Sequence, residues 1–133
     1  MIRAWGRLAA LALVVGAAAV IGVPAAAGTQ TVRIPSTVTL NITPEQAAAT
    51  FKGKVKSPNH ACRTNRTVEL MLRRPGKDQK VSSTPTFGQH WRLGLDNPRP
   101  GEYYARVKKR SDGTAGTIFV CKADSSPAVT YSP

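Results

Sequence analysis

At 133 residues the chain has room for one domain, and its two lone cysteines have no histidine at zinc-ligand spacing. Nineteen Lys and Arg against seven Asp and Glu give a formal charge of +12, which points to anionic partners or to a surface kept soluble by its cations. From the N-terminus, Met1 to Arg7 is short and positive, Leu8 to Val23 is apolar without a charge, and Pro24-Ala25-Ala26-Ala27 ends the run. Small residues at Ala25 and Ala27 suit a signal peptidase, so the reading is a bacterial-style secretory signal peptide over 1–27 with a cut after Ala27. The rival is an uncleaved anchor, since Leu8 to Ala27 as a helix rising about 1.5 Å per residue would cover roughly 30 Å, one hydrocarbon core. No second apolar run of that length follows, so no stable membrane insertion is expected once the signal is cut.

The expected domain, 28–133, loses Arg3 and Arg7 with the signal and keeps 17 cationic side chains against 7 acids. Val32 and Ile34 alternate in a first strand that Pro35 interrupts. Thr37 to Ile42 resumes as a strand with Val38, Leu40 and Ile42 on one side. Thr43-Pro44-Glu45-Gln46 has the form of a capping box, with Ala47 to Ala49 behind it, and predicts one or two helical turns. Thr50 to Lys56 is a strand with Phe51, Gly53 and Val55 inward and three lysines outward. Thr67 to Arg73 puts Val68, Leu70 and Leu72 on a core face, and a short strand from Gln79 to Ser83 should pair back.

Gly88 to Leu95 and Glu102 to Lys109 are the clearest alternations, with Trp91, Leu93, Tyr103, Ala105 and Val107 facing inward. The Pro- and Gly-rich link between them predicts an antiparallel pair. Arg110 to Gly116 reads as a polar loop, Thr117 to Lys122 as a central strand apolar on both sides, and Ala128 to Tyr131 as a last short strand. Seven to nine short strands with frequent turn signals predict a single antiparallel β-sandwich, immunoglobulin-like or transthyretin-like. A core of this size is modest, and Cys62 with Cys121 offers a brace. In an oxidising compartment they would close a loop of about 60 residues, worth ~4 kcal/mol in the chain-entropy account; two free thiols are the alternative.

A family resemblance covers roughly 51–122. Val68-Glu69-Leu70, then Lys80-Val81, then Gly88-x-x-Trp91-x-Leu93 and Pro100-Gly101-x-Tyr103-x-Ala105-x-Val107 resemble the carboxypeptidase regulatory-like domain, a small transthyretin-like β-sandwich. With its cysteines the chain is similar to short secreted bacterial proteins built on one such domain. It departs from the family in having Thr86-Phe87, and not Thr-Asp, ahead of Gly88. The resemblance implies a non-catalytic accessory module, appended to enzymes or displayed at a cell surface.

The residues give catalysis little to work with. His60 and His90 lie in no motif with a nucleophile or a paired carboxylate, and Glu45, Glu69, Asp78, Asp96, Glu102, Asp112 and Asp124 are placed mostly in or beside turns. Transthyretin-like hydrolases end in Tyr-Arg-Gly-Ser, whereas this chain ends Val129-Thr130-Tyr131-Ser132-Pro133. No phosphate loop or cofactor motif is present, and no cofactor is expected. Charge is the remaining signal: Lys52, Lys54, Lys56, Arg73, Arg92, Arg106 and Lys108 are all predicted to face away from the core. If their strands share a sheet they form one cationic surface, able to draw in an anionic cell-envelope polymer or polysaccharide. The plainer reading is that lysines on exposed strands keep the sheet soluble and block edge pairing. His90 and Tyr104, placed on the same side, are two rings on which bases could stack, but secretion makes nucleic acid an unexpected partner.

Overall fold

Alternation of apolar and polar side chains makes the strands, and tight hairpins decide which of them pair. The computed structural model describes residues 28–114 and 116–133; the signal peptide expected over 1–27 lies outside them. In chain order the first strands are β1 (Gln30–Ile34), β2 (Thr37–Val38), β3 (Asn41–Glu45), β4 (Ala48–Lys56), β5 (Thr67–Leu72) and β6 (Gln79–Pro85). They are followed by β7 (His90–Asp96), β8 (Gly101–Val107), β9 (Arg110–Thr114), β10 (Thr117–Cys121), β11 (Asp124–Ser125) and β12 (Val129–Tyr131). Among the described residues the only helical element is one 3-10 turn, His60–Cys62, so the all-β class holds.

Three sheets form. In the first, β4 is central, with β2 and β3 on one edge and β7 on the other. In the second, β5 lies between β6 and β8, and β11 and β12 pair along the far edge of β8. The third is β1-β10-β9. One buried cluster takes Phe51, Val55 and Trp91 from the first sheet and Val68, Leu70, Leu72, Tyr103, Ala105 and Val107 from the second. Phe51 meets Tyr103 with ring centroids 4.9 Å apart, and Tyr131 closes the group edge-on at 6.4 Å from Tyr103. Fully burying each large apolar side chain is worth about 1.5–3 kcal/mol, so this shared interior is the main force holding the two sheets together. The inward residues read from sequence are placed there, with Leu93 half-buried against the cluster.

Gly53 is where the first sheet depends on a missing side chain. A Cβ there would stand 1.8 Å from the Thr39 carbonyl oxygen and 2.7 Å from Trp91 Nε1. Glycine lets the link between β2 and β3 come down on β4, and the Trp91 indole then donates to Thr39 O at 3.1 Å. The strand expected as one piece from Thr37 to Ile42 is therefore two, β2 and β3, both paired to β4. Between them the Thr39 hydroxyl accepts the Lys54 N–H at 2.9 Å, standing in for a ladder carbonyl.

Four further expectations are corrected. The helical turns predicted at Thr43 to Ala49 are a β3–β4 hairpin: Glu45 faces Ala48 across the ladder, Ala47 turns the chain at φ 55°, and the Glu45 carboxylate accepts from the Thr50 hydroxyl across the turn. Pairing with the long β4 overrides the local capping pattern. The strands of the central pair, β7 and β8, do not pair with each other; β7 pairs with β4 and β8 with β5, so their inward residues meet face to face across the core. The loop expected over Arg110 to Gly116 is mostly β9, an edge strand whose polar residues suit exposure. Finally, β10 is central, but to the third sheet, and its pairing with β1 is parallel, so not every pairing is antiparallel.

That third sheet is tied to the rest by sulfur and by two arginines. Cys62 and Cys121 form a buried disulfide with Cα atoms 5.4 Å apart, closing 59 residues of chain. Beside it Arg66, 1% exposed, donates to Ser36 Oγ and to the carbonyls of Cys62, Lys108 and Lys122 at 2.8–3.2 Å. Arg110 donates to the carbonyls of Ala61, Thr64 and Asn65. Burial, and then the neighbouring Arg110 charge, lower the Arg66 pKa.

Candidate functional site

Of the seven cations predicted to face outward, the structure brings four together. Lys52, Lys54 and Lys56 alternate along β4, and β7 places Arg92 directly opposite Lys52 and His90 directly opposite Lys54. Alternate residues on a strand are about 6.6 Å apart, so the lysine row runs roughly 13 Å. All five side chains are exposed. Like charges facing each other across a ladder repel, and here nothing relieves them: among the described residues no carboxylate lies within ion-pair distance of Lys52, Lys54, Lys56 or Arg92.

A hollow of about 780 Å³ opens beside this row, lined by its three lysines, His90, Arg92 and Phe87, with Gly53 and the edge of Trp91 also contributing. Phe87 is 76% exposed and is the one exposed large hydrophobic side chain among the described residues. It is held by a tight turn. Phe87 N–H donates to His90 O at 2.7 Å, His90 N–H donates back to Phe87 O at 3.0 Å, and Gly88 takes φ 58° between them. Val55 N–H donates to Gln89 O at 2.7 Å and pins that turn to β4. In the sequence Phe87 stands out only as part of the departure ahead of Gly88, and its place just before a turn glycine, outside the alternation, is the signal of its exposure.

The other three cations lie on the second sheet or just past the ends of its strands, and each meets an acid there. Glu69 in β5 is 3% exposed, directly opposite Arg106 of β8. Its carboxylate meets Arg106 Nη2 at 3.1 Å and Lys108 Nζ at 3.2 Å. Burial pushes the Glu69 carboxyl up, but bonding and attraction from Arg106 and Lys108 outweigh it and hold the pKa below the ordinary value. Arg73 meets Glu102 at 3.4 Å, both exposed. Tyr104 belongs to this sheet too, not beside His90 as expected, and its hydroxyl donates to Asp78 Oδ2 at 2.6 Å. That bond raises the Tyr104 pKa and lowers that of Asp78. The seven cations thus form two groups on two sheets, and only the β4–β7 group is free of acid.

Comparison with family models, with curated proteins and with solved structures finds no match. The site must be judged on its own chemistry. Among the described residues no three of His, Cys, Asp and Glu gather as metal ligands, and no helix is long and apolar enough to cross a membrane. What the β4–β7 face offers is a fixed row of positive charge, a concavity and one solvent-facing ring. Such a surface suits the reversible holding of an extended anion.

Proposed function

We propose that this is a secreted, non-catalytic β-sandwich module of the carboxypeptidase regulatory-like kind, with a structural or adhesive role at the bacterial cell envelope or outside the cell. The signal-like N-terminus and the disulfide support export. The packing of the β4 and β5 sheets around one cluster supports the sandwich. The observation behind adhesion is the uncompensated row Lys52, Lys54, Lys56 and Arg92, which has no acidic partner among the described residues and is available to an anionic polymer.

A second reading, a protein with a defined anionic or polysaccharide ligand, is favoured by the hollow beside that row. Both readings are tested by the triple variant Lys52→Glu/Lys54→Glu/Lys56→Glu. These side chains are exposed and meet no acid among the described residues, so its melting temperature should stay within a few degrees of the parent. Parent protein should be retained by isolated bacterial envelopes at low salt and released as salt rises, and the variant should not be retained. Equal retention of the two proteins would refute the assignment of this face.

A further inference from the structure

The hollow on the β4–β7 face combines features that the charge row alone does not need. Uniform attraction of a polyanion requires only exposed cations. Here an aromatic side chain stands 76% exposed and its position is fixed at the backbone by two reciprocal hydrogen bonds across the Phe87–His90 turn and a third from Val55. An exposed phenyl ring held this way costs solubility and contributes nothing to the buried cluster. It lines the same hollow as Lys52, Lys54, Lys56, His90 and Arg92.

We infer that the hollow is a subsite for an acidic polysaccharide, in which the apolar face of one sugar ring rests on Phe87 while carboxylates of the polymer lie along Lys52, Lys54 and Lys56. This deepens the reading of the basic face as a polyanion-binding surface and rests on it. Three features select this ligand. The lysines repeat along an extended strand, which fits charges repeated along an extended chain. The ring borders a concavity, which suits a ring-shaped group, whereas insertion into a lipid surface calls for several apolar side chains together and Phe87 is the one exposed large hydrophobic among the described residues. Phe87 has only the small polar imidazole of His90 as an exposed ring beside it in the hollow, a poor platform for successive nucleic-acid bases.

The test compares two polyanions, polygalacturonate, which has sugar rings, and inorganic polyphosphate, which has none, with parent protein, Phe87→Ala and the lysine triple variant. Parent protein should bind both, and the triple variant neither. Phe87→Ala should bind polygalacturonate about tenfold more weakly, the size of one lost ring contact, and polyphosphate unchanged. The exposed ring should not matter to folding, which an unchanged melting curve will verify. Equal losses for both polymers, or no loss for either, would overturn the sugar subsite and leave the basic face standing. A Phe87→Ala loss seen only with vesicles rich in anionic lipid, or only with single-stranded DNA, would replace the sugar by that partner. Failure of parent protein to bind either polymer would sink both readings.

Discussion

On the outer side of the first sheet Lys52 sits across the ladder from Arg92, and on the outer side of the second Arg106 sits across from Glu69. Both faces are rich in Lys and Arg, yet they have opposite chemical capacities. In the second, each cation of the predicted set has an acid within 3.4 Å, two of them sharing Glu69, so much of their attraction is answered internally. In the first, cation faces cation or histidine, and the field extends outward. The difference lies in where the acids fall: one glutamate at a strand position facing an arginine turns a candidate binding surface into a structural one.

The largest effect should come from the core that both faces stand on. Trp91 is 2% exposed, packs in the shared cluster and donates to Thr39 O. Trp91→Ala should cost about 3–5 kcal/mol in urea unfolding, and Trp91→Phe, which keeps the apolar contact and loses the hydrogen bond, roughly 1 kcal/mol more modestly. A loss under about 1 kcal/mol for the alanine variant would mean the indole does not join the sheets, because a buried aromatic truncation costs several times that.

Much of this arrangement is legible from period-two patterns. Phe51, Val55, Trp91, Tyr103 and Val107 are buried where alternation puts them, because a one-residue slip would expose every one of them. The disulfide follows from there being two cysteines and no others. Pairing partners were not legible. Nothing in Gly88 to Lys109 says that its two strands part to different sheets, since the link Asn97 to Pro100 turns the chain equally well within a sheet or across a core. The helical turn misread at Thr43 to Ala49 shows the same limit, as its local signal was outweighed by nine residues of β4 waiting for a partner. The site itself was half legible: outwardness could be read for each cation, but the Glu69–Arg106 register that commits Arg106 and Lys108 to one buried acid could not.

Next in size is the removal of that register partner. Glu69→Gln keeps the shape and deletes the charge shared by Arg106 and Lys108, and should cost about 1–3 kcal/mol. It should also make the second sheet more adhesive, so that the variant binds a polyanion more tightly than the parent; unchanged binding would show that face is shielded by something other than Glu69. The pH dependence follows from the sign of the shift. The Glu69 pKa is held below its ordinary 4.5, so its stabilising contribution is complete above that value and is lost as pH falls through the lower folded value. The gap in stability between parent and Glu69→Gln should be flat from neutral pH down to about 5 and close below it. A gap that widened on acidification would reverse the assigned direction.

The smallest effect distinguishes a buried partner from an exposed one on the same sheet. Arg73 and Glu102 meet at 3.4 Å with about half of each side chain in water, and the Arg73 guanidinium also lies 5.8 Å from the centre of the Tyr104 ring. Exposed pairs of this kind are worth about 0.2–1 kcal/mol and fade with salt, so Arg73→Ala should shift stability by no more than that, and by less at high ionic strength. A double-mutant cycle with Glu102→Ala isolates the ion pair, and one with Tyr104→Leu isolates the ring contact. If the Glu102 coupling survives molar salt, the exposed pair is held as rigidly as Glu69 with its partners, and the line drawn between the inner and outer acids of this sheet disappears. If it vanishes while the Glu69 coupling persists, burial of the acid is what separates a cation committed to the fold from one merely adjacent to an acid.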